Sequence, residues 1–280
     1  MEDAMRWKQF LTPVKSVDAD QARKYMAAKA SDELTILDVR QPNEYETGHI
    51  PGAKLIPLPD LTVRMDEIDP NKATVVYCAI GGRSRVAAQM LAGKGFENVY
   101  NLTGGFKGWK SEAAFGKEEL GIELFTGDES PEKTLAVAYS LEGGLHDFYV
   151  SMIPKVKDIN VKNLFKKLSE IEIKHRDRIF SEYITITGKS DSREELEKSA
   201  VSEAVEGGLT TEEYLNLFQP DLESVSDIIE LAMSIEAQAL DLYLRAAEKI
   251  GFAHSRKVLI QIADEERAHL VQLGKLMERM

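Results

Sequence analysis

The sequence predicts two domains of different fold class, an α/β domain with a mostly parallel sheet followed by an all-α bundle of four helices. Short apolar segments alternate with helical patterns in the first part of the chain, whereas four long amphipathic segments fill the second part. A length of 280 residues also fits two domains better than one. We place the boundary near residue 127, which gives domains of 1–126 and 127–280.

The α/β domain should begin with a helix and continue through several apolar strands. Asp18 and Gln21 form the pattern of a capping box, so a helix is expected to follow Asp18 and to run to about Ala30. A second helix is expected from near Ser84 to Gly95. The apolar segments that predict strands are 35–39, 53–58, 73–77 and 99–102.

The linker between the domains leads into a helix start. Gly127, Asp128 and Glu129 are typical of a turn, and Ser130 followed by Pro131 is the pattern of an N-cap with proline in the first turn. Long helices are predicted over 131–154, 158–186, 224–250 and 254–279. The connection 187–223 is long and should hold short helices at 193–205 and 211–217. This order predicts a bundle with one crossover.

Composition and charge exclude several classes of protein. The chain is 43% hydrophobic and 29% charged, which is typical of globular proteins. Its net charge is −12, and residues 127–280 hold 29 Asp and Glu against 19 Lys and Arg. Such a balance argues against nucleic acid and against anionic membranes as partners. The start of the chain lacks a signal-peptide pattern and no segment is apolar enough to span a membrane, so we expect a cytoplasmic protein.

Cys78 is the one cysteine of the chain, so an internal disulfide, a zinc ribbon and a rubredoxin-type iron centre are excluded. It follows the predicted strand 73–77 and opens a loop with two glycines that leads into a helix. The loop backbone can curl so that several N–H groups converge on the sulfur, and the helix dipole adds positive charge. Arg83 and Arg85 add charge where an anionic substrate would approach. A buried structural cysteine is the alternative, which the Gly-Gly-Arg-Ser context disfavours.

This loop resembles the active-site pattern of single-domain rhodaneses, Cys-x-x-Gly-x-Arg-Ser. The resemblance continues, in family order, at Leu37-Asp38-Val39-Arg40, at 48–53 and at 104–109. It implies a five-stranded α/β fold and a persulfide carried on Cys78. The implied catalytic residues are Cys78 and Arg83, the implied substrate-binding residues are Ala79, Ile80, Gly81, Gly82 and Arg85, and Asp38, Arg40 and His49 look architectural.

Phosphate chemistry is the rival use of such a loop. Dual-specificity phosphatases that resemble rhodaneses place the arginine one position further from the cysteine, in a loop that can surround a phosphate. The tighter spacing from Cys78 to Arg83 suits a sulfane sulfur better. Sulfur transfer is therefore favoured, with phosphatase or arsenate reductase activity as an alternative.

Two of the long helices carry the motif Glu-x-x-His, at Glu172 with His175 and at Glu266 with His269. This spacing places both side chains on one helix face. Another glutamate stands thirty residues before each motif, and an aspartate and a tyrosine follow each of them at equal offsets; these are Glu142, Asp147 and Tyr149, and Glu236, Asp241 and Tyr243. The repeat predicts a pseudo-twofold bundle that brings both sets to one centre. Four buried carboxylates would repel one another unless cations lay among them, so two metal ions are expected.

The constellation resembles the ferritin-like di-iron proteins, and rubrerythrins most closely. The resemblance implies two iron ions, with manganese or zinc as further possibilities for mixed carboxylate and imidazole ligands. The implied ligands are Glu142, Glu172, His175, Glu236, Glu266 and His269, with Glu172 and Glu266 bridging. Ala239 stands where rubrerythrins usually carry a further glutamate. The second domain is thus expected to be a ferritin-like four-helix bundle.

Together these patterns predict a sulfurtransferase joined to a di-iron module. The Cys78 thiolate would attack the outer sulfur of thiosulfate or of a low-molecular-weight persulfide, and the di-iron module would reduce peroxide or dioxygen. The expected partners are a small-molecule sulfur donor, a thiol acceptor, an external electron donor and a second copy of the chain in a homodimer. The alternative is a non-catalytic persulfide-binding adaptor with a metal-storage or dimerisation bundle.

Overall fold

The computed structural model describes residues 12–110, 112–125, 130–188, 193–199 and 209–277. The chain divides into two compact units, Met1–Glu118 and Glu119–Met280. The predicted linker residues Gly127, Asp128 and Glu129 lie outside the described residues, as does the start of the chain that lacks a signal-peptide pattern. The predicted boundary at residue 127 therefore stays a prediction.

A five-stranded sheet forms the centre of the first unit, and every strand pairing in it is parallel. The strands are β1 Lys15–Val17, β2 Leu34–Asp38, β3 Ala53–Leu55, β4 Ala73–Tyr77 and β5 Val99–Leu102, in the order β1-β5-β4-β2-β3. The central strand β4 is buried along its whole length, which fits its mostly apolar sequence. This sheet confirms the predicted α/β fold class.

Helices cover both faces of the sheet. They are α1 Ala19–Ala27, α2 Pro42–Thr47, α3 Leu61–Arg64, α4 Gly82–Gly93 and α5 Gly105–Trp109. The predicted capping box is confirmed, because Gln21 N–H donates to Asp18 Oδ1 at 2.8 Å and Asp18 N–H donates to Gln21 Oε1 at 3.1 Å. The helix ends at Ala27, a few residues before the expected position. Two apolar clusters fill the space between the sheet and its helices.

Asp38, Arg40 and His49 brace the turns at one edge of the sheet. The Arg40 guanidinium donates to both oxygens of Asp38, with the shortest contact at 2.6 Å, and to the carbonyl oxygen of Gly48 at 2.7 Å. The His49 ring is buried, stacks on Tyr45 at a centroid distance of 3.6 Å and lies 3.0 Å from the Tyr45 carbonyl oxygen through Nδ1. These contacts give the three side chains an architectural role.

Four long helices form the second unit, as the apolar periodicity predicts. They are α6 Pro131–Met152, α7 Ile159–Thr187, α10 Val225–Lys249 and α11 Ala253–Met277, and the crossover holds α8 Arg193–Ser199 and α9 Thr211–Phe218. Ser130 caps α6 by accepting from Lys133 N–H at 3.4 Å. The expected helix at 193–205 is described only as far as Ser199. Within the described residues, no helix combines the length and apolar character needed to cross a membrane.

Candidate active site and metal centre

The sulfur of Cys78 lies at the carboxyl end of β4 and directly before α4. The residue is 1% exposed, and its Sγ accepts a hydrogen bond from Gly81 N–H at 3.1 Å. The Ser84 hydroxyl lies 3.5 Å from the same sulfur. Gly81 has a φ of +98°, a left-handed conformation that lets the chain turn back over the sulfur just before the helix. The loop therefore curls around Cys78 as its glycines predict.

Polar contacts make the thiolate of Cys78 more stable than that of an ordinary cysteine. Burial opposes ionisation, but hydrogen bonds from the Ser84 hydroxyl and from the backbone N–H groups of Ser84, Ile80 and Gly81 outweigh it, so the pKa of Cys78 is lowered. A thiolate is the nucleophilic form of cysteine. The loop is thus built for a sulfur that reacts as an anion.

Arg83 does not extend freely over the loop. Its guanidinium donates to both carboxylate oxygens of Glu44, at 2.8 and 2.7 Å. The hydrogen bond from Arg83 lowers the pKa of Glu44 to about 2, and the pKa of Arg83 is raised by Glu44 and, more weakly, by Cys78. The arginine thus lies between a carboxylate and the sulfur, and Glu44 balances part of its charge.

The remaining predicted loop residues divide into two groups. Ile80 and Gly81 turn their backbone N–H groups toward the sulfur. Ala79 supplies its carbonyl oxygen to Lys107 N–H at 3.0 Å, whereas Gly82 and Arg85 are exposed. The Ile80 side chain is 68% exposed and stands at the rim of the loop. Substrate binding by these five residues remains a prediction.

Sequence reasoning missed two structural supports of the loop. The Ser84 hydroxyl donates to Asn101 Oδ1 at 2.7 Å, and Asn101 is a buried polar residue within the apolar strand β5, which is a signal in itself. The backbone at Gly105 packs so closely on the loop that an added Cβ would lie 2.1 Å from the Cys78 carbonyl oxygen. Phe106 N–H donates to that same oxygen at 2.7 Å.

In the bundle, the structure brings all six predicted metal ligands together. Each glutamate of the set is fully buried and each histidine is 3% exposed; the set is Glu142, Glu172, His175, Glu236, Glu266 and His269. His175 Nδ1 lies 2.9 Å from Glu142 Oε2 and 3.0 Å from Glu172 Oε2. His269 Nδ1 lies 3.1 Å from Glu266 Oε2 and 3.3 Å from Glu236 Oε2. The donor atoms form two groups, each compact enough to hold one ion.

The chemistry of this cluster fits two cations. Both carboxylate oxygens of Glu172 are buried. His175 Nδ1 lies 3.0 Å from Oε2, but no donor among the described residues makes a well-oriented hydrogen bond to either oxygen. Burial, with the charges of Glu142 and Glu236 added, raises the pKa of Glu172 to about 8. A buried carboxyl group whose ionisation is opposed by burial and by neighbouring carboxylates is one that a cation would stabilise in its ionised form. Oxygen and nitrogen donors in this mixture suit iron or manganese, and zinc as well.

The carboxylates and imidazoles of the cluster shift one another's pKa values. Burial lowers the pKa of His175 and of His269, but Glu142 and Glu236 respectively outweigh it, so both pKa values are raised. At Glu236 burial is likewise outweighed, by His269, Glu266 and Tyr149, and the pKa falls to about 2. The buried carboxyl groups therefore differ, since the pKa of Glu172 is raised and that of Glu236 is lowered.

Each tyrosine of the sequence repeat donates a hydrogen bond to the glutamate of the other repeat. Tyr149 O–H donates to Glu236 Oε1, and Tyr243 O–H donates to Glu142 Oε1 at 2.9 Å. Both tyrosines are fully buried. They join α6 to α10 across the centre and hold one oxygen of each glutamate in place.

The aspartates of the repeat do not reach the centre, so that part of the prediction is wrong. Asp147 is 83% exposed and contacts His146, while the buried Asp241 pairs with Arg245 at 2.7 Å. Asp147 lies on the solvent side of α6, where water solvates it. Asp241 faces a cation that its counterpart position does not have.

Glu265 is a contributor that the sequence patterns did not identify. Its Oε2 lies 2.9 Å from His175 Nε2, and Arg178 donates to its other oxygen. These contacts lower the pKa of Glu265 to about 2, against the effect of burial. A cavity of about 290 Å³ opens beside it, with His175 and His269 in its wall. Glu265 adjoins the ligand Glu266 in sequence, which is the signal that could have found it.

Comparison with known proteins assigns both parts of the chain. The family model for a rhodanese-like domain matches residues 18–112, and the model for rubrerythrin matches residues 133–277. The second match extends over half of the chain and includes all six predicted ligands.

Individual relatives match the first domain. Rhodanese-like/PpiC domain-containing protein 12 of Arabidopsis thaliana is 38% identical over 105 residues, which are 35% of this chain and 34% of that protein. Thiosulfate sulfurtransferase GlpE of Pseudoalteromonas translucida is 36% identical over 87 residues, or 31% of this chain and 81% of that protein. The putative sulfur carrier protein YrkF of Bacillus subtilis is 42% identical over 80 residues, or 28% of this chain and 43% of that protein.

Solved structures match about a third of the chain. A rhodanese-like domain protein from Staphylococcus aureus is 29% identical, covers 34% of this chain and 91% of its own, and has a TM-score of 0.32. The chain spans about a third of the length of the Arabidopsis relative and less than half of that of YrkF. The chain therefore belongs to the rubrerythrin family through its helical domain and carries a rhodanese-like domain ahead of it.

Proposed function

We propose that Cys78 is the nucleophile of a sulfurtransferase that accepts the outer sulfur of thiosulfate or of a low-molecular-weight persulfide. The observation that carries this proposal is the set of donors around Cys78, which lowers the pKa of a nearly buried thiol. The relative GlpE, whose name describes a thiosulfate sulfurtransferase, is consistent with it. Arg83 is assigned to the approach of the anionic donor.

The reaction proceeds as two displacements at sulfur. The Cys78 thiolate attacks the outer sulfur of thiosulfate, the new S–S bond forms, and sulfite leaves with the electron pair of the broken bond. An external thiolate or cyanide then attacks the outer sulfur of the persulfide and releases the Cys78 thiolate. Cys78 is the one cysteine of the chain, so no internal thiol can resolve the persulfide.

A thiosulfate and cyanide assay on Cys78→Ser tests the first proposal. We expect no thiocyanate formation, with an unchanged melting temperature, because the hydroxyl is isosteric but does not react as a thiolate. The wild-type protein should gain the mass of one sulfur atom with thiosulfate and lose it with cyanide. Substantial activity in the variant, or hydrolysis of an aryl phosphate or reduction of arsenate by the wild type in place of sulfur transfer, would sink the persulfide mechanism.

We propose further that the helical domain holds two iron ions and reduces peroxide or dioxygen with electrons from an external donor. When bound, the metal pair would relay electrons from that donor to the oxidant. The chain's own residues hold the ligands in place: Tyr149 and Tyr243 each bind one oxygen of a glutamate, and Glu265 binds the outer nitrogen of His175. The cavity of about 290 Å³ beside both histidines offers a small oxidant a route to the centre.

Anaerobic loading with ferrous iron, followed by addition of peroxide, tests the second proposal. We expect two irons per chain and sustained consumption of peroxide when an artificial electron donor is present. One stoichiometric oxidation without turnover would favour a storage role for the bundle. Binding of far fewer than two metal ions would mean that these six residues do not form the proposed site.

A further inference from the structure

A buried line of polar side chains lies behind Cys78. Ser84 Oγ stands 3.5 Å from Cys78 Sγ and 2.7 Å from Asn101 Oδ1. Asn101 Nδ2 stands 3.4 Å from Ser16 Oγ on the neighbouring strand β1. Ser84 is fully buried and Asn101 is 4% exposed, whereas Ser16 is exposed. The line therefore begins at the reacting sulfur and ends at solvent.

The Ser84 hydroxyl has one proton and two neighbours that can accept it. A hydroxyl donates one hydrogen bond and accepts through its lone pairs. With Asn101 Oδ1 at 2.7 Å, that proton goes to the amide, and a lone pair of Ser84 then faces the sulfur. A thiol can donate its S–H to that lone pair. A thiolate has no proton to donate, so the same arrangement leaves it beside an oxygen lone pair.

Asn101 can resolve this conflict by turning its amide. Half a rotation exchanges Oδ1 and Nδ2, which then donates to Ser84 Oγ and leaves the hydroxyl proton free for the sulfur. The far end of the amide faces the Ser16 hydroxyl, which can donate or accept and is exposed. Either orientation of the amide is therefore satisfied at both ends.

We propose that Asn101 is a positioning residue that sets the direction of the Ser84 hydroxyl, which points to Asn101 when Cys78 is a thiol and to the sulfur when Cys78 is a thiolate or carries a persulfide anion. The inference deepens the proposed sulfur transfer, because it explains how one buried site accommodates both states. Arg83, itself paired with Glu44, is the charged side chain whose pKa responds to the sulfur. Arg83 is unchanged in the test below.

The pH dependence of Cys78 alkylation by iodoacetamide measures the ionisation directly, because the chain has one cysteine. This readout does not require sulfur transfer, so a failure of the proposed function would not affect it. The experiment compares Ser84→Ala in two backgrounds, wild type and Asn101→Asp. An aspartate of nearly the same size accepts hydrogen bonds without donating any, so it holds the Ser84 proton away from the sulfur.

In the wild-type background, Ser84→Ala should raise the pKa of Cys78 by about one unit and slow alkylation at neutral pH about tenfold, since a charge-assisted hydrogen bond is lost. In the Asn101→Asp background, Ser84→Ala should change the rate less than about twofold, because the hydroxyl no longer donates to the sulfur. Both proteins compared in this background carry the aspartate, so the effect of its charge on the alkylation rate cancels in the comparison. Equal effects of Ser84→Ala in the two backgrounds would overturn the proposal.

A second measurement keeps the proposal testable if Asn101→Asp does not fold. In protein with ¹⁵N-labelled asparagine, the side-chain amide signal of Asn101 should shift with the same midpoint as alkylation. In Cys78→Ser the signal should stay constant over that pH range. A wild-type amide signal that does not follow the ionisation of Cys78 would also overturn the proposal.

Discussion

The charge beside Cys78 depends on one pair of side chains. The pKa of Arg83 responds to Cys78, but Glu44 accepts hydrogen bonds from both terminal nitrogens of its guanidinium. The anionic donor of the proposed reaction would therefore meet an arginine whose charge is partly balanced, with the exposed apolar side chain of Ile80 at the rim of the loop. The thiolate itself is stabilised by uncharged hydrogen-bond donors, which are backbone N–H groups and the Ser84 hydroxyl.

Arg83→Ala and Glu44→Gln should change the affinity for thiosulfate in opposite directions. The loss of the guanidinium should raise KM several-fold while part of kcat remains, because its role toward the donor is electrostatic. Glu44→Gln removes the balancing charge and should lower KM. Initial rates over a range of thiosulfate concentrations distinguish the two effects. If neither variant alters KM, Arg83 only braces the loop.

The same ion pair should contribute to stability in a defined pH range. The pKa of Glu44 falls from 4.5 to about 2 on folding, so its stabilising effect is complete above pH 4.5 and is lost as the pH falls toward 2. The pair is partly exposed, so we expect less than about 1 kcal/mol. Urea unfolding at neutral and acid pH should show this loss in the wild type and a smaller one in Glu44→Gln. Glu46→Gln, an exposed change on the same helix, should behave as the wild type.

At the scale of elements, helix α5 supports the cysteine loop through its first turn. Gly105 has a φ of +56°, and its Cα lies so close to the loop that a Cβ would be 2.1 Å from the Cys78 carbonyl oxygen and 2.7 Å from the Ala79 carbonyl carbon. Neither group can move without displacing the backbone of the loop. The close approach explains the glycine at position 105, and the φ of +80° at Gly104 explains the glycine before it.

Gly105→Ala should therefore destabilise the rhodanese-like domain by more than about 2 kcal/mol and reduce sulfur transfer, because the added methyl group displaces the loop. Gly82→Ala is the matched control for stability. Outside its own helix and chain neighbours, no described atom lies within 4 Å of the Cβ that it would add. Thermal unfolding of both variants checks the difference. Equal melting temperatures would contradict the close packing of α5 on the loop.

Helices α7 and α11 meet through Glu265, which contacts the outer nitrogen of His175 while Arg178 binds its other oxygen. A carboxylate behind a metal-binding imidazole fixes the ring and makes it a better ligand. Glu265→Gln should weaken metal affinity about 10- to 100-fold, as measured by competition with a chelator. Glu170→Gln, an exposed change on α7, should leave the metal affinity unaltered. Unchanged affinity in Glu265→Gln would show that the ring needs no such support.

At the scale of the whole molecule, the metal should act on one domain and leave the other unaffected. Four buried glutamates repel one another without cations, so metal should stabilise the bundle roughly as RT ln(1 + [L]/Kd). We expect the melting transition of the bundle to rise with metal and that of the rhodanese-like domain to stay nearly constant. Scanning calorimetry of the apo and iron-loaded protein measures both.

Substitutions of the predicted ligands test whether the stabilising effect of metal comes from this centre. Glu172→Ala and Glu266→Ala should each remove most bound iron and most of the shift in melting temperature, because each residue contributes to the shared centre. Glu223→Ala is the control, since Glu223 is exposed and only pairs with Lys157 at the surface. Identical melting of the wild type with and without metal would rule out this centre as the source of stability.

Local patterns predicted the long helices, the capping box at Asp18 and most strands, because periodicity and caps act over a few residues. Strand β1 was not among the predicted segments, since the edge strand Lys15–Val17 is short and largely polar. The six clustered ligands followed from a repeat that the chain carries in its own sequence. Pairs such as Glu44 with Arg83, or Ser84 with Asn101, join distant segments, and only the folded chain determines them.

The crossed bonds of Tyr149 and Tyr243 make the two helix pairs mutually dependent. Helices α6 and α7 form one hairpin and α10 and α11 the other, and each hairpin carries three of the six predicted ligands. The hydroxyl group that orients the first glutamate of a hairpin comes from the other hairpin. A single hairpin would thus have half of the ligands and no phenol to hold its glutamate. Fragments separated within the crossover, between α8 and α9, should remain incomplete alone and should restore one another's metal centre when they are mixed.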